Sequence, residues 1–487
     1  MSVNGLDPNR WKVLAIVCAA FFMTILDVSI VNVALPSIGR SLHFSRDGLQ
    51  WVITAYAITF GGFLLLGGRA SDFLGRRRIF LIGVVVFTLA SFFCGLAWSE
   101  AVLIGSRAVQ GFGAALITPS ALSIITTAFP EGAERNKALG IWGAIGGSGA
   151  AVGVLAGGLL TKYAGWEWIF FVNVPVGVLA FVLAIRFVRE SKAQRVPTPD
   201  WAGAVTVTSG LALLVYAVSN APAHGWGSAW TISRLVAAAV LLVAFLVIEA
   251  RAKDPLMPFH IFRVRTVAGA NVAGFLLGAM VFANFFVLTL YVQDVLGWSA
   301  LRTGVTFIAT AGSAILWAGV AQALTTRIGA KIVMAIGFAA MIVALVLYTR
   351  IPVHGTYASD LLPGYLLMGF GLPFAFVPVS IAALAGVEPE ESGLASGLIN
   401  TAQQIGGAVG VAVASSVAIT HFNNLVSSGH SPAAALTSGY QWAFWVRVGV
   451  GVVGLLASVF LIRDDQLGPS PEPVTSPAVA YRSPGAA

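Results

Sequence analysis

A chain of 487 residues that is 57% hydrophobic and only 10% charged, with a mean hydropathy of +0.87, carries too few charges to cover a water-soluble protein of its size, so a soluble enzyme is excluded and a bilayer is implied. The balance of 28 Lys and Arg against 20 Asp and Glu could speak for nucleic acid, but the basic residues lie between apolar runs, where charges orient membrane proteins. Cys18 and Cys94, the 2 cysteines, fall inside apolar runs, so neither a disulfide framework nor redox chemistry is expected.

In chain order, fourteen apolar segments are long enough to cross a bilayer: about 12–34, 50–68, 79–97, 101–128, 138–160, 168–187, 201–219, 230–249, 267–292, 303–325, 330–349, 360–386, 397–420 and 441–462. All are expected to be helical, because lipid leaves backbone groups no partner outside their own segment. The first is longer than a signal-peptide core and lacks an obvious cleavage site, so it is expected to be retained. With the N-terminus in the cytoplasm, twenty Lys and Arg fall on the cytoplasmic side. Seven fall outside (Arg40, Arg46, Lys162, Arg234, Arg302, Arg350 and Arg447) and Arg107 lies within the membrane. That bias puts both ends in the cytoplasm.

The short basic turn Gly75-Arg76-Arg77 between spans two and three recurs as Arg327-Ile328-Gly329-Ala330-Lys331 between spans ten and eleven. The reading is a six-helix half over 1–190, a linker with two inserted helices over 191–265, a second six-helix half over 266–465 and a disordered tail over 466–487. This is an all-α integral membrane protein of two pseudo-symmetric halves.

Asp27 sits near the middle of the first span, where a charge costs about 2.5–3.5 kcal/mol on insertion scales. Two roles fit: a proton or cation site, or a permanently neutral acid bonded to a neighbouring helix. Arg107, inside span four, either tunes Asp27 electrostatically or bonds to backbone carbonyls of helix one. The six histidines fall in loops or at helix ends, and Glu249, Asp294 and Asp360 lie near the membrane faces.

Gly68-Arg69-Ala70-Ser71-Asp72-Phe73-Leu74-Gly75-Arg76-Arg77-Arg78 and Arg107-Ala108-Val109-Gln110-Gly111-Phe112-Gly113 resemble the loop and fourth-helix signatures of the major facilitator superfamily. The Leu26–Pro36 segment, the Trp166–Pro175 stretch, Tyr291–Ser299, Gly393–Thr401 and the span count resemble its fourteen-span drug/proton antiporter branch. The resemblance implies a proton-coupled antiporter in the plasma membrane that exports amphipathic, often monocationic, drugs or toxic small molecules. Asp27 and Arg107 would then serve proton coupling, and Asp72, Gly75, Arg76 and Arg77 a gating latch whose arginines pair across the halves; the alternative is that the arginines only orient the loop. In the second half Thr326 stands where an acid would complete the latch.

The branch's helix-five antiporter motif maps onto Gly149, Gly153, Val154, Gly157 and Gly158, with Val154 where proline is expected. The glycines still allow close helix packing, while the proline-linked bend is put in question. Tyr56, Trp142, Asn284, Phe286, Trp317, Phe374, Asn400 and Gln403 are substrate-cavity candidates, or ordinary packing residues. The partners expected are a small-molecule substrate, protons and lipid, with the protein monomeric and no nucleic acid. No cofactor, metal-ligand set or catalytic nucleophile is read, and no phosphate-binding G-x-x-x-x-G-K-[ST] motif occurs. Two alternatives stay open: a transporter of a defined metabolite such as a sugar, amino acid or siderophore, and a non-transporting receptor or scaffold.

Overall fold

The computed structural model describes residues 8–45, 48–129, 133–191, 200–253, 255–257, 259–385, 387 and 392–463; the tail expected over 466–487 lies outside them. Described residues form helices and turns, with no strand among them. Numbered by span, the helices are α1 Arg10–Ser41, α2 Trp51–Leu74, α3 Arg76–Gly95, α4 Glu100–Ala128, α5 Ala133–Tyr163, α6 Trp168–Phe187 and α7 Trp201–His224. There follow α8 Ala229–Arg251, α9 Arg265–Val295, α10 Ala300–Ile328, α11 Ala330–Tyr348, α12 Tyr357–Ala382, α13 Ser392–Ser427 and α14 Pro432–Leu461. Thirteen are long and apolar enough to span; α5, 31 residues long, is the fourteenth, with a described apolar stretch at Val152–Tyr163. With α5 counted as a crossing, the start of α1 and the end of α14, the described chain ends, lie on one face.

Several helices outrun their apolar stretches. α14 begins at Pro432, nine residues before the apolar run, with Ser431 Oγ accepting from Ala434 N at 3.4 Å as a cap and proline at the first helical position. The consequence is a correction: Arg447, expected outside, is the sixteenth residue of a 30-residue helix and lies buried at its middle, 2% exposed. Inside α6, Val172 separates the pieces Trp168–Phe171 and Asn173–Phe187, which brings Asn173 to a helix start in the interior.

Helices α1–α6 pack among themselves, as do α9–α14, and the pair α7 and α8 lies outside, with α7 against both α2 and α13. The two short turns share one backbone device. Gly75 (φ 113°) ends α2 and starts α3, and Gly329 (φ 90°) does the same between α10 and α11, a conformation that glycine adopts without a Cβ penalty.

On the face opposite the chain ends, the halves share one apolar core in which Leu26, Ile30 and Val31 of α1 join Ala283, Val287 and Tyr291 of α9. Gln293 Nε2 crosses the same seam to Val33 O at 2.8 Å. A cavity of about 450 Å³ remains there, lined by Pro36 and Arg40 from the first half and by Phe286, Val287, Asp294 and Tyr440 from the second. Toward the chain ends, a groove of about 450 Å³ runs between Trp11, Ala15 and Phe22 of α1 and Ile141 and Ile145 of α5.

Candidate functional site

The spacing Arg107-x-x-Gln110 puts both side chains on one face of α4. Gly111 and Gly113, immediately beyond, let α2 and α3 close in: a Cβ at Gly113 would stand 2.6 Å from Phe87 N, and one at Gly111 would collide with Tyr56 O. Neighbouring polar groups therefore converge on this face. Asp27, 0% exposed, accepts from three donors: Arg107 Nη1 at Oδ2, Gln110 Nε2 at Oδ1 (2.8 Å) and Asn173 Nδ2 at Oδ1 (3.1 Å).

The second layer is equally full. Arg107 Nε donates to Val52 O at 2.8 Å and Nη1 to Gln110 Oε1 at 2.6 Å, and the guanidinium lies 4.3 Å from the centre of the Tyr56 ring. Gln110 Nε2 also donates to Ser91 Oγ at 2.6 Å. Five helices, α1, α2, α3, α4 and α6, thus meet on one neutral network closed to water. A buried pair of this kind is sustained by the further hydrogen bonds that Gln110 and Asn173 give Asp27 and that Arg107 gives Val52 and Gln110. Arg107 contacts a carbonyl of helix two, not of helix one, as well as Asp27 itself.

Helix five grips α1 one turn away. A Cβ at Gly153 would stand 2.9 Å from Leu26 O, and one at Gly157 would stand 2.7 Å from Ile30 O. The opposite side of α5 meets the other half, where Gly158 lies against Ala300 O and Gly304 against Val154 O, at 3.0 and 2.7 Å from a Cβ built on each glycine. α5 runs through Val154 without interruption, and the Val154 side chain joins the shared core. Gly149 lies on α5 at a position whose surroundings fall outside the described residues.

At the basic turn, Glu190, just past α6, accepts from Arg77 N and Arg78 N, both at 3.1 Å, capping the positive end of α3. Arg76 reaches Thr127 Oγ1 of α4, and Arg77 Nη2 donates to Ile185 O of α6 at 2.7 Å. Among the described contacts these groups tie the first half to itself, because Glu190 and the end of α6 lie closest. The Asp72 side chain falls outside the described residues.

The cavity candidates scatter. Phe286 lines the seam cavity, and Trp142 stacks on Phe21 at 3.8 Å beside the α1–α5 groove. Tyr56 belongs to the polar network through Arg107. Trp317 and Phe374 pack with Phe370 between α10 and α12. Gln403 is half-buried with its carbonyl against Gly278, Asn400 is exposed on α13, and Asn284 is buried in α9. Of the eight, the seam cavity takes in Phe286 and the α1–α5 groove none.

Comparison with known proteins decides the family. The Major Facilitator Superfamily description matches residues 17–411. The chain belongs to this superfamily. Among similar proteins are a puromycin resistance protein of Streptomyces alboniger, 40% identical over 92% of this chain and 90% of that protein, and a cephamycin export protein of Amycolatopsis lactamdurans, 38% identical over 92% and 90%. A solved bacterial homologue of the human lysosomal transporter Spinster, inward-facing and unoccupied, has the same fold at a TM-score of 0.65 and 16% identity, covering 94% of this chain and 99% of that one. Family and fold are those of a transporter rather than an enzyme.

For this facilitator the sequence marked Asp27 and Arg107 but gave no role to Gln110, Asn173 or Ser91. Gln110, a polar residue one turn from a buried arginine in an apolar run, carried a readable signal. Asn173 and Ser91 look like ordinary helix residues until the fold brings them together.

Proposed function

We propose that this facilitator exports amphipathic small molecules, drugs and toxic natural products among them, from the cytoplasm across the plasma membrane in exchange for protons. The similarity to resistance and export proteins supports the direction and the cargo class. The observation that carries the coupling is Asp27, a fully buried carboxylate held by a cation that has other acceptors in place.

Protonating Asp27 removes one charge of the pair. Arg107 keeps Val52 O, Gln110 Oε1 and the Tyr56 ring, so it stays seated while the attraction that fixes α1 to α4 and α6 weakens. α1 is also the helix clasped by Gly153 and Gly157 of α5, which bears on the other half through Gly158. A proton at Asp27 thereby changes the hold on the helix that lines the first half's side of the seam. Cargo and proton then favour different arrangements, which couples their flows without direct contact between them.

The test is proton release from purified protein in weakly buffered medium on addition of candidate cargo. Wild type releases protons and Asp27→Asn releases none while remaining folded. Equal release from both proteins refutes Asp27 as the coupling group.

A further inference from the structure

The second half holds a buried cation of its own. Arg447 Nε donates to Ala443 O at 3.1 Å and its guanidinium lies 4.1 Å from the centre of the Phe444 ring. Both Nη1 and Nη2 are buried and have no hydrogen-bond partner among the described residues. Beside it, the hydroxyl of Tyr348 on α11 is buried and has no hydrogen-bond partner among the described residues; the Tyr348 ring lies 5.2 Å from Phe444 and 6.1 Å from the ring of Tyr365 on α12.

The contrast with the first half is one of charge. There the buried arginine faces Asp27 on α1. Here the neighbouring α9 carries an amide: the end of the Met280 side chain lies 3.0 Å from a Cβ built on Gly451, and Asn284 is one turn outward of Met280 as Arg447 is one turn outward of Gly451. Asn284 Oδ1 is buried without a partner, so it can accept one hydrogen bond but cannot neutralise a charge. Arginine does not shed its proton, and an uncompensated buried cation is costly. Directly outward lies the seam cavity of about 450 Å³, with Val287 one turn from Asn284 and Tyr440 two turns from Arg447 on the same helices.

We propose that Arg447, with the Tyr348 hydroxyl, is a binding site for a monoanionic group that enters by way of this cavity. Donors predominate, so the group must bring lone pairs and a negative charge; a carboxylate and a halide both qualify. The carboxylate would be part of the exported molecule, extending the cargo from monocations to zwitterionic and acidic amphiphiles. That arm rests on the export reading; a small inorganic anion resident at Arg447 does not.

Thermal unfolding of the full-length protein in phosphatidylcholine nanodiscs, on a chloride-free sulfate background, tests the site without transport. Phenylacetate, chloride or both should raise the melting temperature of wild type, while neutral phenylacetamide should not. A response to phenylacetate alone assigns the cargo arm, and one to chloride alone the inorganic arm. Arg447→Met should lose the response and, without anion, melt no lower than wild type, since it removes an unpaired charge. Tyr348→Phe should fold and weaken the apparent anion affinity by roughly tenfold. The proposal is overturned if no anion shifts wild type, if the shift survives in Arg447→Met, if that variant melts below wild type or fails to fold, or if Tyr348→Phe binds unchanged. Asp27 is intact throughout, so proton coupling stands or falls on its own assay.

Discussion

Removing the two charges of the first-half network singly and together should give strongly non-additive losses. In Asp27→Asn the Arg107 guanidinium stays buried, at 1% exposure, without a counter-charge. At an effective dielectric of about 20, two unit charges ~4 Å apart attract by about 4 kcal/mol, and breaking one side of a buried pair typically costs about 3–5 kcal/mol. The introduced amide also presents a donor to a site where Gln110 and Asn173 already donate, so one hydrogen bond worth ~1 kcal/mol is lost or must flip. Arg107→Gln leaves Asp27 charged, with the amides of Gln110 and Asn173 alone to hold it. The double variant, Asp27→Asn with Arg107→Gln, carries no buried charge, and its four amides can bond to one another. Its cost should therefore fall short of the summed single costs by about 2 kcal/mol or more. Melting temperatures in nanodiscs rank the four proteins, with the double variant expected above both singles. If the double variant falls below either single by that single's partner loss, the charges do not act on each other and the coupling mechanism built on them fails.

Other consequences follow from packing and caps. Gly157→Leu should abolish uptake into inverted vesicles while leaving insertion intact, since its side chain must displace Ile30 at a contact of 2.7 Å; normal transport would show that α1 and α5 separate freely. Glu190→Ala should lower stability by about 1 kcal/mol by uncapping α3, seen as a lower melting temperature, with substrate affinity unchanged. Gly75→Ala should cost more, ~1–3 kcal/mol, because φ 113° is strained for any residue with a Cβ and Glu190 would lie 2.6 Å away; a melting temperature equal to wild type would mean that the turn relaxes.

What the sequence determined by itself is what lipid enforces locally. A backbone without water must close its hydrogen bonds within the helix, so apolar runs alone revealed the spans, and a charge inside such a run stood out as Asp27 and Arg107 did. The turn pattern around Gly75 and Gly329 likewise disclosed the repeat, because φ values of 113° and 90° favour glycine at both turns. Tertiary structure decided the rest. Gln110, Asn173 and Ser91 acquired a role only when α3, α4 and α6 were brought against α1, an arrangement set by small-residue contacts distant in sequence. Arg447 was misplaced for a related reason: hydropathy sees where the apolar run begins, not where the helix does, and capping by Ser431 extends α14 until a residue read as peripheral lies at its centre. Whether a buried charge has a partner is a property of packing, and the two buried arginines, one paired and one not, look alike in one dimension.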